Sequence, residues 1–248
     1  MIPFIAPQWP APVSVRAIVT TRLGGTSLGG YAGFNLATHV GDDPAQVEAN
    51  RALLRHGLKL PAEPCWLDQI HGADCVDASL RFEQPPAADA AFADRPGVVC
   101  AVLTADCLPI LLSDRAGSMV AAVHAGWRGL ANGVIPNAVS CLAAAAELIA
   151  WVGPGIGPRH YRVGPDLRER FMTHDSAHER AFETRPDGDY ANLALIAQQQ
   201  LLQSGVSHVT LSGLCTYEDS ARFYSFRRDA VCGRFASLIW IERSPAVA

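Results

Sequence analysis

The chain has 248 residues, 49% of them hydrophobic and 18% charged, with a formal net charge of −4 and a pI near 6.0. That composition describes a soluble globular protein with ample material for a core, and it excludes the basic surface that nucleic-acid binding needs. The length fits one large mixed domain or two small ones.

No stretch reaches the ~20 apolar residues of a membrane span, and the start, Met1 to Pro7, lacks the positive charge and long apolar core of a secretory leader. A cytoplasmic protein is expected. The seven cysteines form no CxxC pair. An odd count in a reducing compartment predicts free thiols, most of them small buried hydrophobes.

In chain order, Val15–Thr21 alternates toward a strand ending at Arg22. Leu23–Gly33 then holds five glycines with Thr26 and Ser27. Such a segment can bring backbone N–H groups near an anion, yet it lacks the Lys-Ser/Thr of a phosphate loop and reads equally as a glycine-rich turn. Asp42-Asp43-Pro44 predicts a helix start, with the helix running to about His56 and Gly57 as its stop. Cys65–Ala78 alternates loosely and predicts a strand pair around His71-Gly72.

Gly97–Arg128 is the organising stretch. Val98–Leu103, Leu108–Leu112 and Met119–Val123 are short, continuous apolar runs and predict strands buried on both faces. Thr104-Ala105-Asp106-Cys107 breaks the first from the second, and the third runs into His124-Ala125-Gly126-Trp127-Arg128. Leu130–Ile149 has a helical rhythm that tolerates Pro136, with Ala143–Ala150 read as the end of a core helix. Ala150–Val152 is a strand leading into the rigid Gly153–Pro158 loop. Pro165–Met172 predicts a short helix, Thr173–Gly188 an exposed polar segment, and Tyr190–Ser204 an amphipathic helix. Strands at His208–Leu214, Arg222–Phe226 and Phe235–Ile241 close the chain. The mixture without strict alternation predicts an α/β (mixed α+β) fold, with mixed sheets flanked by helices in a single domain, 1–248.

His71, Cys107 and His124 carry the chemistry. Two imidazoles and one thiolate are a catalytic zinc complement that leaves a fourth position for water. The metal would lower the pKa of that water and give a hydroxide nucleophile near neutral pH. A second reading uses Cys107 as nucleophile and His124 as its base. Copper also suits these donors, although none of Met1, Met119 and Met172 lies near the motifs as an axial ligand. Asp106, beside Cys107, is a proton shuttle, an orienter or a turn cap. Arg22 and Arg128 follow strand ends, where guanidinium groups grip phosphate bidentately or form structural ion pairs. His39 either approaches the site through the glycine-rich loop or is structural, the commoner role of a lone histidine, and Arg227-Arg228-Asp229 is a substrate edge or, by preference, a solvated strand end.

Several segments together resemble a known family. They are Thr20-Thr21-Arg22 with Gly24-Gly25, Phe34-Asn35-Leu36, His39-Val40-Gly41-Asp42-Asp43 and Gln69-Ile70-His71-Gly72. They continue with Thr104–Pro109, His124–Gly129, Gly153–Pro158, Cys215-Thr216 and Phe226–Asp229. The family is the bacterial purine nucleoside phosphorylases once labelled multicopper polyphenol oxidoreductases or laccases. The match covers most of the chain in order.

The resemblance implies α/β/β/α layering and a zinc ion on His71, Cys107 and His124. It implies phosphorolysis of adenosine, inosine and S-methyl-5'-thioadenosine, and adenosine deamination, with a purine nucleoside and phosphate as partners. Copper-dependent phenol oxidation and hydrolytic editing of a serine-bearing peptidoglycan precursor have also been attributed to the family. Within it Cys107, Asp106 and His124 are the expected catalytic residues, and Arg22, Asn35 and Arg128 the expected substrate contacts. Arg159-His160 stand where members often carry cysteine.

Overall fold

A computed structural model of the chain describes residues 2–143 and 147–242. Strands and helices are numbered along the chain. An antiparallel sheet has the order β1 (Phe4–Ile5), β2 (Val15–Thr20), β13 (Phe235–Ile241) and β5 (Val99–Thr104). A second sheet runs β12 (His208–Leu211), β8 (Leu148–Val152), β6 (Leu108–Asp114), β7 (Val120–Ala125), β4 (Ala90–Ala93) and β3 (Cys75–Asp77). It is antiparallel at its centre and parallel at both edges. A small sheet joins β10 (Phe182–Arg185), β11 (Gly188–Ala191) and β9 (Arg162–Val163).

The two large sheets pack face to face. Val19, Val102, Phe235 and Ile239 of the first meet Ala91, Leu111, Ala122 and Trp151 of the second. The far face of the second sheet is covered by α2 (Trp127–Asn132), α3 (Val134–Cys141), α4 (Pro165–His174) and α5 (Leu193–Gln203). The far face of the first is covered by α1 (Pro44–Gly57), through Val47 and Leu54, together with Phe34 and Leu36. The result is the expected α/β/β/α layering. It explains why β5 is apolar without alternation: Cys100 and Val102 face the other sheet, while Val99, Ala101 and Leu103 face α1. Strands covered on both sides read as unbroken hydrophobic runs. Each Val or Leu side chain among them contributes about 1.5–3 kcal/mol on burial.

β5 and β6 follow one another in sequence but belong to different sheets. The link Ala105-Asp106-Cys107 therefore crosses the sandwich at one end. Asp106 takes a positive φ of 91° there, and its carbonyl accepts the Ile156 N–H at 2.8 Å. The β6–β7 register sets Pro109 opposite His124, so Cys107 and His124 emerge at the same end.

Several local expectations are corrected. Cys65–Ala78 is not a strand pair; only β3 is a strand within it, and His71 sits in a turn with φ 57°. The helical run after Arg128 is broken at Gly133, whose φ of 88° caps α2. Part of the expected helix end, 144–146, lies outside the described residues, and β8 already begins at Leu148. Arg222–Phe226 is not a strand, because Ser225 accepts the Arg228 N–H and starts α6 (Phe226–Asp229). Tyr190 belongs to β11, and α5 begins after Asn192, whose side chain caps it through Leu195. Thr173–Gly188 holds a 3-10 turn and β10 rather than an open polar loop, with His178 buried. Among the described residues no helix is long and apolar enough to cross a membrane.

Candidate metal centre and active site

Cys107 precedes β6, His124 lies in β7, and His71 sits in the turn before β3. Their ligating atoms all lie within 4.8 Å of one another. The two imidazoles meet edge to face with centroids 4.8 Å apart. Tetrahedral nitrogen and thiolate bonds of about 2.0–2.3 Å set the donors of one ion roughly 3.3–3.6 Å apart. Side-chain rotations that draw the widest pair in by about 1 Å would close these donors on a common ion.

Gly126 makes the approach feasible. A Cβ there would lie 2.8 Å from His71 Nδ1 and 2.9 Å from Cys107 Sγ. Its φ of −73° is ordinary, so the glycine is required by space and not by backbone conformation.

Asp89, which sequence reasoning passed over, ties the histidines together. It is fully buried. Its carboxylate accepts the backbone N–H groups of Ile70 at 3.2 Å, His71 at 3.0 Å and Gly72 at 2.6 Å. Its Oδ1 also lies 2.7 Å from His124 Nδ1. Burial works to raise the Asp89 pKa, but the His124 hydrogen bond and charge, with the Gly72 and His71 N–H groups, bring it below the usual value. A carboxylate on the far ring nitrogen is the usual way to fix a ligating histidine's tautomer. The signal available in the sequence was an acid inside the small apolar run Ala87–Phe92, since a buried charge must be paired.

The donors' electrostatics suit a cation. For His124, burial acts to lower the pKa, yet the facing Cys107 charge and Asp89 raise it to about 9. Positive charge is thus favoured at His124, between Cys107 and the Asp89 carboxylate. His71 is shifted the other way, by burial first and then by His124 and Arg128, so its ring stays neutral and able to donate a lone pair.

The donors line a cavity of about 310 Å³, whose walls also include His39, Gln69, Thr104, Phe226 and Arg234. Gln69 is locked to Leu103 by paired bonds of 2.9 and 2.7 Å. His39, for which the sequence leaves an approach to the site as the alternative to a structural role, belongs to this wall. Arg234 had no sequence signal of its own.

The remaining expected site residues are placed differently. Asp106 has both carboxylate oxygens occupied, one by Thr216 Oγ1 and one by the Arg227 N–H, each at 2.6 Å. That arrangement is the one an orienting residue needs. Asn35, an expected substrate contact, lies behind the cavity wall. Asn35 is fully buried, and its amide is spent on Ala37, Asp42 and the Arg234 N–H. Arg22 is not on the cavity wall; its guanidinium lies 4.8 Å over the Tyr224 ring and donates to the Ser220 carbonyl. Arg128 stacks 4.5 Å over Trp127, and its charge reaches His71. Arg159 and His160 share Glu218 in an exposed cluster, with His160 stacked on Tyr217. Neither of the two is among the three donors.

The family model described as multi-copper polyphenol oxidoreductase laccase matches residues 16–242. The chain is 46% identical over 242 residues to purine nucleoside phosphorylase YfiH of Escherichia coli, covering 97% of this chain and all of that one. It is 45% identical to purine nucleoside phosphorylase PA4543 of Pseudomonas aeruginosa, across 96% and 98% of the two chains. A solved structure from Neisseria meningitidis, protein NMB0706, is similar with TM-score 0.91 and 42% identity over 97% and 99% of the chains. YlmD from Geobacillus stearothermophilus gives 0.89 and 30% over 97% and 100%. With all three donors and every strand from β3 to β13 inside the matched span, the chain belongs to the multi-copper polyphenol oxidoreductase laccase family.

Proposed function

We propose that this chain is a zinc-dependent purine nucleoside phosphorylase. Its substrates are adenosine, inosine and S-methyl-5'-thioadenosine with inorganic phosphate, and it also deaminates adenosine. The observation that carries the reading is the convergence of His71, Cys107 and His124 on one wall of a cavity that also presents Arg234. The printed names of the full-length relatives support the same chemistry.

The donor set fits zinc, with His71, Cys107 and His124 as the residues that would hold it. When bound there, the ion supplies Lewis acidity at an open coordination position. Asp89 fixes the His124 tautomer and the His71 turn. Asp106 holds Thr216 and the start of α6, so the Phe226 wall of the cavity keeps its place. The half-buried Arg234 sets one cationic side chain on the cavity wall beside the donors, which favours an anionic co-substrate there. The continuous layering from α1 to α5 fits a single domain, and the free cysteines fit the cytoplasm.

Copper binds the same donors. Of the methionines that could extend the set, Met119 lies at the opposite end of β7 from His124 and Met172 in α4. That favours zinc.

The test is purified protein with inosine, with and without phosphate, followed by element analysis. Hypoxanthine and ribose 1-phosphate should form only with phosphate, and adenosine should yield inosine without it. The Cys107→Ser protein should lose zinc and turnover together. Full nucleoside turnover by a metal-free Cys107→Ser protein would overturn the reading.

A further inference from the structure

The same cavity contains a set of groups that the metal leaves unused. Arg234, half-buried at the start of β13, donates through Nη1 to the carbonyls of Cys232 at 2.8 Å and Gly233 at 3.1 Å. Among the described residues its Nε and Nη2 have no hydrogen-bond partner, and its guanidinium forms no ion pair. The guanidinium is held 5.8 Å from the Phe226 ring. A half-buried arginine without a carboxylate is costly unless an anion completes it.

His39 stands beside it for a structural reason. The Arg234 N–H donates to Asn35 Oδ1 at 2.9 Å, and the Leu36 N–H donates to the Arg234 carbonyl at 3.2 Å. The 35–39 segment is thereby laid along the start of β13. Burial first, and then the Arg234 charge, keep the His39 imidazole neutral. Asp68, the carboxylate whose field reaches His39, is exposed and forms no ion pair with Arg234 among the described residues. Thr104 also borders the cavity, but its hydroxyl is buried away from solvent and, among the described residues, has no partner.

We propose that Arg234 and His39 form the subsite for inorganic phosphate, in place of Arg22 and the glycine-rich loop. The free edge of the Arg234 fork suits two phosphate oxygens, and the imidazole N–H donates to a third. This rests on the phosphorolysis reading. In that reaction a phosphate oxygen forms a bond to the sugar C1' as the C1'–N bond breaks. The electron pair of that bond leaves with the purine, which takes up the proton of the hydrogen phosphate dianion. The subsite holds the nucleophile on one wall of the cavity while the metal donors form another.

The experiment compares wild type with Arg234→Met and His39→Gln. The KM for phosphate should rise at least about ten-fold in Arg234→Met, the loss expected for removing hydrogen bonds to a charged group. The KM for inosine should move far less. Millimolar phosphate should raise the thermal midpoint of wild type but not of Arg234→Met, and His39→Gln should show a smaller loss of both effects. An unchanged phosphate KM in Arg234→Met, with wild-type phosphorolysis intact, overturns the subsite. If wild type performs no phosphorolysis, the function fails and the thermal shift alone decides the subsite. A phosphate shift retained in Arg234→Met sinks it, and one lost there upholds an anion site for another reaction.

Discussion

Asp89 Oδ1 lies 2.7 Å from His124 Nδ1, and the same carboxylate accepts the His71 N–H at 3.0 Å. One buried charge thus fixes an imidazole on a rigid strand and a second imidazole on a turn with positive φ. The strand could hold its ring by packing alone, but the turn could not. Asp89→Asn should therefore weaken zinc binding by about 10–100-fold, the usual effect of losing an outer partner of a ligating histidine. Competition with a chromophoric chelator measures it. Unchanged affinity would mean that the turn is held by other means.

Gly126→Ala tests space in place of charge. The added methyl would press on His71 Nδ1 and Cys107 Sγ at 2.8 and 2.9 Å. Overpacking of this kind costs about 1–3 kcal/mol, and here the movable atoms are the donors themselves. Zinc content should fall well before the fold does, read by element analysis beside the circular dichroism spectrum. A protein with full zinc would show that the donors have room to retreat.

These two residues also mark how far the sequence could be read. The central strands and the two donors at their ends were legible because burial on both faces writes an unbroken apolar run. His71 was recognised as a donor but its surroundings were misjudged. Its turn depends on hydrogen bonds to Asp89, 18 residues on, and periodicity carries no record of a distant acceptor. The aromatic run at Phe223-Tyr224 looked like a strand for the same reason that core strands do. Phe223 and Tyr224 are fully buried, yet Ser225 turns the chain into α6. His39 and Arg234 are far apart in sequence, and the Asn35 and Leu36 hydrogen bonds to the Arg234 backbone bring them together.

Asp106→Asn separates a positioning role from proton transfer. Asparagine tolerates the positive φ of 91°, and its amide can still accept from the Arg227 N–H while its NH₂ group donates to Thr216. With both carboxylate oxygens already engaged, phosphorolysis and deamination should fall together and by less than about ten-fold. Loss of a true acid–base group costs about 10²–10⁴-fold in the step it serves. A selective collapse of deamination would assign Asp106 the proton after all.

The His39 titration reports on the cavity directly. Its pKa lies below the usual 6.5 because of burial first, then Arg234 and Arg51, with Asp68 opposing and His124 adding to the decrease. The unfolded chain therefore binds more protons than the folded one between the folded pKa and 6.5. This group's contribution to stability is present above pH 6.5 and is lost as pH falls through that window toward the folded value. Following the His39 ring proton by NMR should give a value under 6.5 in wild type and a partial rise in Arg234→Met, since burial, the larger cause, remains. Phosphate in the cavity adds negative charge beside the ring and should raise the wild-type value, with tighter phosphate binding at lower pH as the linked consequence. A His39 titration indifferent to both Arg234→Met and phosphate would place the ring outside the field of either.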